Sequence, residues 1–150
     1  MQRRSLYTPE VYDHCLARID RLTPDTSPDW GTMTPAQMFA HCAEVQEVAN
    51  GSRELVGTPL LLRLLGPLIR RAVVNDRPYP RDARTHPQYR QTERRDFQAE
   101  KQRLLLALEA LRRAEEGPPA RHPLFGTLTP DERGWSSYKH LDHHLRQFGV

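Results

Sequence analysis

Runs of apolar residues at helical spacing recur along the chain, and a threonine-proline pair opens all but one of them. Thr8-Pro9-Glu10-Val11 starts the first. Threonine suits the cap, and proline suits the first helical position, where its missing N–H costs nothing. Val11, Cys15, Ile19 and Leu22, with Tyr12 and Leu16 beside them, predict an amphipathic helix. Thr23-Pro24-Asp25 and Ser27-Pro28-Asp29 break it, and Trp30 is expected to pack against the end of the helical assembly. Thr34-Pro35-Ala36-Gln37 opens the second helix with a capping box. Its apolar stripe is Met38, Cys42, Val45, Val48 and Ala49, and Asn50-Gly51-Ser52 closes it.

Thr58-Pro59 opens the leucine-rich run LLLRLLGPLIRRAVVN. Arg63, Arg70, Arg71 and the pair Gly66-Pro67 interrupt it, so it is not the stretch of ~20 uncharged apolar residues that a membrane span needs. A kinked amphipathic helix, a packing arm, a dimer surface or an interfacial membrane helix all fit the pattern. Residues 75–87, rich in proline and charge, predict a surface loop. A third long helix is expected from about Gln88 to Glu116. Phe97, Leu104, Leu105, Leu108 and Leu111 keep its period, and Gly117-Pro118-Pro119 stops it. The last helix opens at Thr129-Pro130-Asp131-Glu132, again with a capping box, and runs toward Val150. No alternating β-branched run or Asn-Gly hairpin signal predicts a strand of consequence. The expectation is an all-α, single-domain chain over residues 1–150. Its architecture is a four-helix bundle with an extended helix and loop insertion at 58–87, between helices two and three.

Composition narrows the function classes. The net charge of +3, from 22 basic and 19 acidic residues, is spread with signs interspersed. No basic stripe interleaves with aromatic residues, which argues against nucleic-acid binding. Cys15 and Cys42 each sit in an apolar stripe with no CxxC spacing, and read as buried free thiols. The opening MQRRSLYTPE has no apolar signal core, so a cytoplasmic setting is expected, with no membrane partner.

The candidate chemistry lies in YKHLDHHLRQF, residues 138–148, which holds three of the seven histidines. His140 and His144 are four apart and share one helix face at the edge of an apolar arc of Tyr138, Leu141, Leu145 and Phe148. Asp142 and Arg146 fall on the far side, and His143 reads as a surface histidine. The third ligand would be His41, inside the apolar stripe of helix two. His14 is less well placed at the edge of helix one, and His122 lies far ahead of the last helix. Three packed imidazoles without a cation would compete for protons, whereas a divalent ion bound to three neutral imidazoles keeps one coordination position open. Zinc, nickel and iron all suit such ligands. Gln37, Glu44 and Gln147 stand three or four residues from a candidate ligand, where each could orient an imidazole or simply cover a helix surface. A bundle whose histidines pack without metal is the plain alternative.

Two stretches carry a resemblance. HPLFGTLTPDERGWSSYKHLDHHLRQFGV and WGTMTPAQMFAHCAEV resemble the C-terminal and second-helix signatures of a branch of the DinB-like superfamily known as a domain of unknown function. Together they cover about a third of the chain. The resemblance implies an up-down-down-up four-helix bundle of the DinB/YfiT kind, often dimeric. It implies a metal held by His41, His140 and His144. It also implies metal-dependent transfer of a low-molecular-weight thiol, such as bacillithiol or mycothiol, to a small electrophile, or a maleylpyruvate isomerase-like reaction. A stress-associated bundle that holds metal without catalysis is the alternative. The insertion at 58–87 is outside the resemblance.

Overall fold

The computed structural model describes residues 1–115 and 121–150. It is mainly helical. Four long helices, α1 (Pro9–Asp20), α2 (Pro35–Ala49), α5 (Phe97–Arg113) and α6 (Pro130–Gln147), share one apolar core. Two shorter helices, α3 (Leu60–Leu64) and α4 (Gly66–Val74), come from the leucine-rich run. A two-residue antiparallel pair, β1 (Arg121–His122) with β2 (Gly126–Thr127), is the one departure from an all-helical pattern among the described residues.

The helix starts follow local chemistry. Thr34 accepts from Gln37 N while Gln37 Oε1 accepts from Thr34 N, and Thr129 and Glu132 repeat the exchange at the start of α6. Each box satisfies two backbone donors that a helix start leaves free. Thr8 caps α1 with its backbone carbonyl alone; its side chain makes no cap bond. Most of the core comes from the expected stripes: Cys15 and Ile19 of α1, Met38 and Cys42 of α2, Leu104, Leu108 and Leu111 of α5, and Leu141 and Leu145 of α6. Phe39 and Trp135 join it from outside those stripes, while Val45 and Ala49 are only half-buried. Both thiols are free and buried.

The third long helix begins nine residues later than its periodicity suggests. Pro87–Tyr89 forms one 3-10 turn, the chain then runs extended, and Asp96 caps α5 by accepting from Ala99 N. The cause is a row of α2 side chains at helical spacing. Gln37 Nε2 donates to the Glu93 carbonyl, and His41 Nδ1 donates to the Tyr89 carbonyl. Glu44 accepts from Gln88 Nε2 and Gln91 Nε2. Residues 88–93 are thus laced along α2 as a strap, with the Tyr89 and Glu93 carbonyls turned to α2 side chains. The Gly117-Pro118-Pro119 stop lies outside the described residues.

Of the two short helices, α4 is fastened to α6. Arg70 Nη2 donates to both carboxylate oxygens of Glu132 at 2.7 Å. Lys139 Nζ donates to the Ala72 and Asn75 carbonyls and to Asn75 Oδ1, placing a cation at the C-terminal end of α4. Trp135 Nε1 donates to the Val74 and Asn75 carbonyls. At Gly66 the backbone comes so close to the Leu124 carbonyl that a β-carbon would collide with it. No helix among the described residues is long and apolar enough to cross a membrane.

Candidate metal centre

His41 projects from the middle of α2, and His140 and His144 from consecutive turns of α6. One ring nitrogen from each lies within 4.8 Å of the others. His41 Nε2 and His140 Nε2 are 3.1 Å apart. His41 is 4% exposed and His144 8%, while His140 is half-buried.

The hydrogen bonds behind two of the rings set their tautomers. His41 Nδ1 stands 2.8 Å from the Tyr89 carbonyl, which can only accept. His144 Nδ1 stands 2.8 Å from Gln147 Oε1. The amide of Gln147 is oriented in turn, because its Nε2 donates to the Trp30 carbonyl at 2.8 Å. Both rings therefore carry their proton on Nδ1 and present a bare Nε2 lone pair to the cluster. His140 is the least anchored of the three: its Nδ1 is buried with no partner.

Protons are poorly tolerated here. Burial holds the His144 imidazole down to about 3, with the neighbouring His41 adding to the effect. Burial lowers His41, against the pull of the Tyr89 carbonyl and Glu44. Burial, with His144 and His41 next to it, holds His140 well below the ordinary histidine range. Without an ion, His140 can carry its proton on Nε2 and donate it to the bare His41 Nε2 at 3.1 Å, which leaves its own buried Nδ1 unsatisfied; with an ion, all three rings can turn a lone pair to it. The set fits a divalent ion: nitrogen ligands, two of them braced from behind, with small rotations needed to reach bonds of ~2.1 Å.

The candidate orienting residues part company. Gln147 braces His144 directly. Glu44 acts one step removed, gripping Gln88 and Gln91 on either side of the residue whose carbonyl braces His41. Gln37 has its amide bonded to the cap and to the Glu93 carbonyl. Sequence reading missed the carbonyls of Tyr89 and Trp30, since any residue supplies a carbonyl and only the fold brings these two to the rings.

Two readings of α6 change. Asp142, expected on the far side, is buried and bonded to Arg18 Nη1 at 2.7 Å. A solvent-facing position on an isolated helix becomes an interior one once α1 packs over it. His143, expected at the surface, is half-buried with Trp30 and Tyr79 edge-on at 5.8 Å each. It lines a cavity of about 390 Å³ with Arg81, Lys139 and Arg146, outside the cluster of three. Trp30 packs here as well, under the guanidinium of Arg81. His122 stacks on Phe125 and accepts from Leu124 N, bracing the β1–β2 turn.

The search of curated proteins and the search of solved structures each found no match. One family model matches nearly the whole chain, residues 1–149. The chain therefore belongs to the family described as "Protein of unknown function (DUF1569)".

Proposed function

We propose that the chain is a metal-dependent enzyme of the DinB-like superfamily. Its four long helices would form the up-down-down-up bundle of that superfamily, and His41, His140 and His144 would hold one divalent ion, zinc or nickel, with iron also suited to the ligands. The observation that carries the reading is the pair of 2.8 Å contacts behind the rings, His41 Nδ1 to the Tyr89 carbonyl and His144 Nδ1 to Gln147 Oε1, which leave both Nε2 atoms without a proton. Such an ion, with three protein ligands and an open position, supplies Lewis acidity that lowers the pKa of a water or thiol.

The residues of the chain divide the rest of the work. The Tyr89 carbonyl and Gln147 keep the Nδ1 protons in place, so that the Nε2 atoms stay free of protons at neutral pH. Burial keeps bulk water from His41 and His144. The substrates would be a low-molecular-weight thiol and a small electrophile, met in the cytoplasm. The test is elemental analysis of the protein beside His41→Ala and His144→Ala, followed by thiol consumption with a panel of electrophiles. One ion per chain, lost in both variants, together with metal-dependent thiol loss, is the expected result. Absence of bound metal in protein purified without chelator sinks the reading.

The depth of the cluster favours a second reading, a bundle that holds its ion for stability alone. That reading expects chelation to lower the melting temperature sharply while the metal-loaded protein consumes no thiol.

A further inference from the structure

Six of the eight large hydrophobic side chains exposed among the described residues lie within thirteen positions: Val56, Leu60, Leu61, Leu64, Leu65 and Leu68. Leu60 and Leu64 are each 71% exposed, and Leu68 is 64% exposed. The helical hydrogen bonds continue through the α3–α4 junction, from Leu65 N to the Leu61 carbonyl and from Ile69 N to the Leu65 carbonyl. At ~100° per residue the five leucines therefore make one stripe. The opposite face, with Gly66, Leu62, Ile69 and Val73, is the one turned to the protein. The helix pair shows its more apolar side to solvent, and its ties to α6 hold that side in place rather than on a loose arm. Monomers rarely expose so concentrated an apolar patch.

We infer that this stripe is the face by which two copies of the chain pair, antiparallel about a two-fold axis at Leu64. Leu60, Leu64 and Leu68 are spaced symmetrically about Leu64, so the stripe is complementary to itself when reversed: Leu60 meets Leu68 of the second copy and Leu64 meets Leu64. A two-fold interface requires such self-complementarity. At roughly 100 Å² of apolar surface per largely exposed leucine, the patch with a polar rim approaches the ~800 Å² per partner of a stable interface. A lipid surface fits less well. A helix lying on a membrane turns a broad charged face to water, and here the face opposite the leucines is covered by the protein. Residues 55–75 contain no acidic side chain; Arg63 stands exposed at the edge of the stripe and Arg71 is exposed one turn past Leu68. The two copies' Arg63 side chains therefore lie near each other beside the axis with no acidic partner, and the pair is held by apolar contact. Raising the salt from about 0.05 M to about 0.5 M should leave the association intact or strengthen it. This inference is independent of the metal site.

Sedimentation and light scattering should give twice 17.4 kDa for the wild-type protein at about 100 μM. Leu64→Glu should give the monomer mass, with helical content and zinc uptake unchanged. Leu64→Cys should cross-link between copies under mild oxidation, against a low background because Cys15 and Cys42 are buried. Leu106→Cys, at another exposed leucine on α5, should not cross-link. A monomeric wild type, a Leu64→Glu dimer, or a Leu64→Cys dimer that fails to cross-link each overturns the proposal. Binding of a monomeric wild type to anionic phosphatidylglycerol vesicles, abolished by Leu64→Glu, would overturn it in favour of a lipid surface.

Discussion

Gln147 holds two polar atoms at once, accepting from His144 and donating to the Trp30 carbonyl. Replacing it with leucine keeps the volume and removes both bonds. His144 could then rotate and carry its proton on either nitrogen. Loss of such a brace usually weakens metal binding ~10–100-fold. Gln147→Leu should therefore lower zinc affinity by that factor in a chelator competition, with one ion per chain still bound at saturation. An unchanged affinity would show that the bond does not orient the ligand. Asp142 has a different role. It is bonded to Arg18 deep between α1 and α6, where both side chains are 9% exposed. Asp142→Ala leaves a guanidinium buried without its carboxylate, which typically costs about 3–5 kcal/mol. Urea unfolding of metal-free protein should show that loss. A cost below about 1 kcal/mol would mean the pair is solvated.

Among the elements, α2 and α6 were legible in the sequence because their signals are local. Thr34 with Gln37 and Thr129 with Glu132 each declare a helix start within four residues. The HxxxH spacing on α6 and the lone histidine in the stripe of α2 were legible for the same reason. The strap at 88–93 was not. Its extended form depends on Gln37, His41 and Glu44, about fifty residues away in sequence, and no periodicity in residues 88–96 records that. Nor could the pattern of α6 alone show that Asp142 would be covered. The strap can be tested. Glu44→Ala removes the acceptor for Gln88 and Gln91. Amide protons of residues 88–93 should exchange faster in that variant, while those in the middle of α2 stay protected. The variant should also lose about 1–3 kcal/mol, from amide groups left unpaired. Unchanged exchange at 88–93 would mean that the strap is held by other contacts.

At the scale of the whole molecule, two buried features pull against folding when no ion is bound. Three imidazoles are gathered where none can take up a proton easily, and His140 Nδ1 has no partner. The pH dependence of stability follows in sign. An unfolded histidine takes up a proton near pH 6.5. In the folded chain His144 resists protonation down to about 3. Between those values the unfolded state binds the extra proton, so stability falls as pH drops through that window, by about 1.4 kcal/mol per pH unit for each histidine kept neutral. Bound metal stabilises the neutral form further, by mass action on the folded state alone. Chelator-treated protein should therefore lose melting temperature steadily from pH 7 to pH 4.5, and His41→Ala or His144→Ala should flatten that slope. Zinc should raise the curve most at neutral pH and lose its effect toward the acid end, where protons compete for the ligands. A melting temperature of the metal-free protein that holds level across the window would mean that the three rings reach water, and the case for an ion at their centre would fall with it.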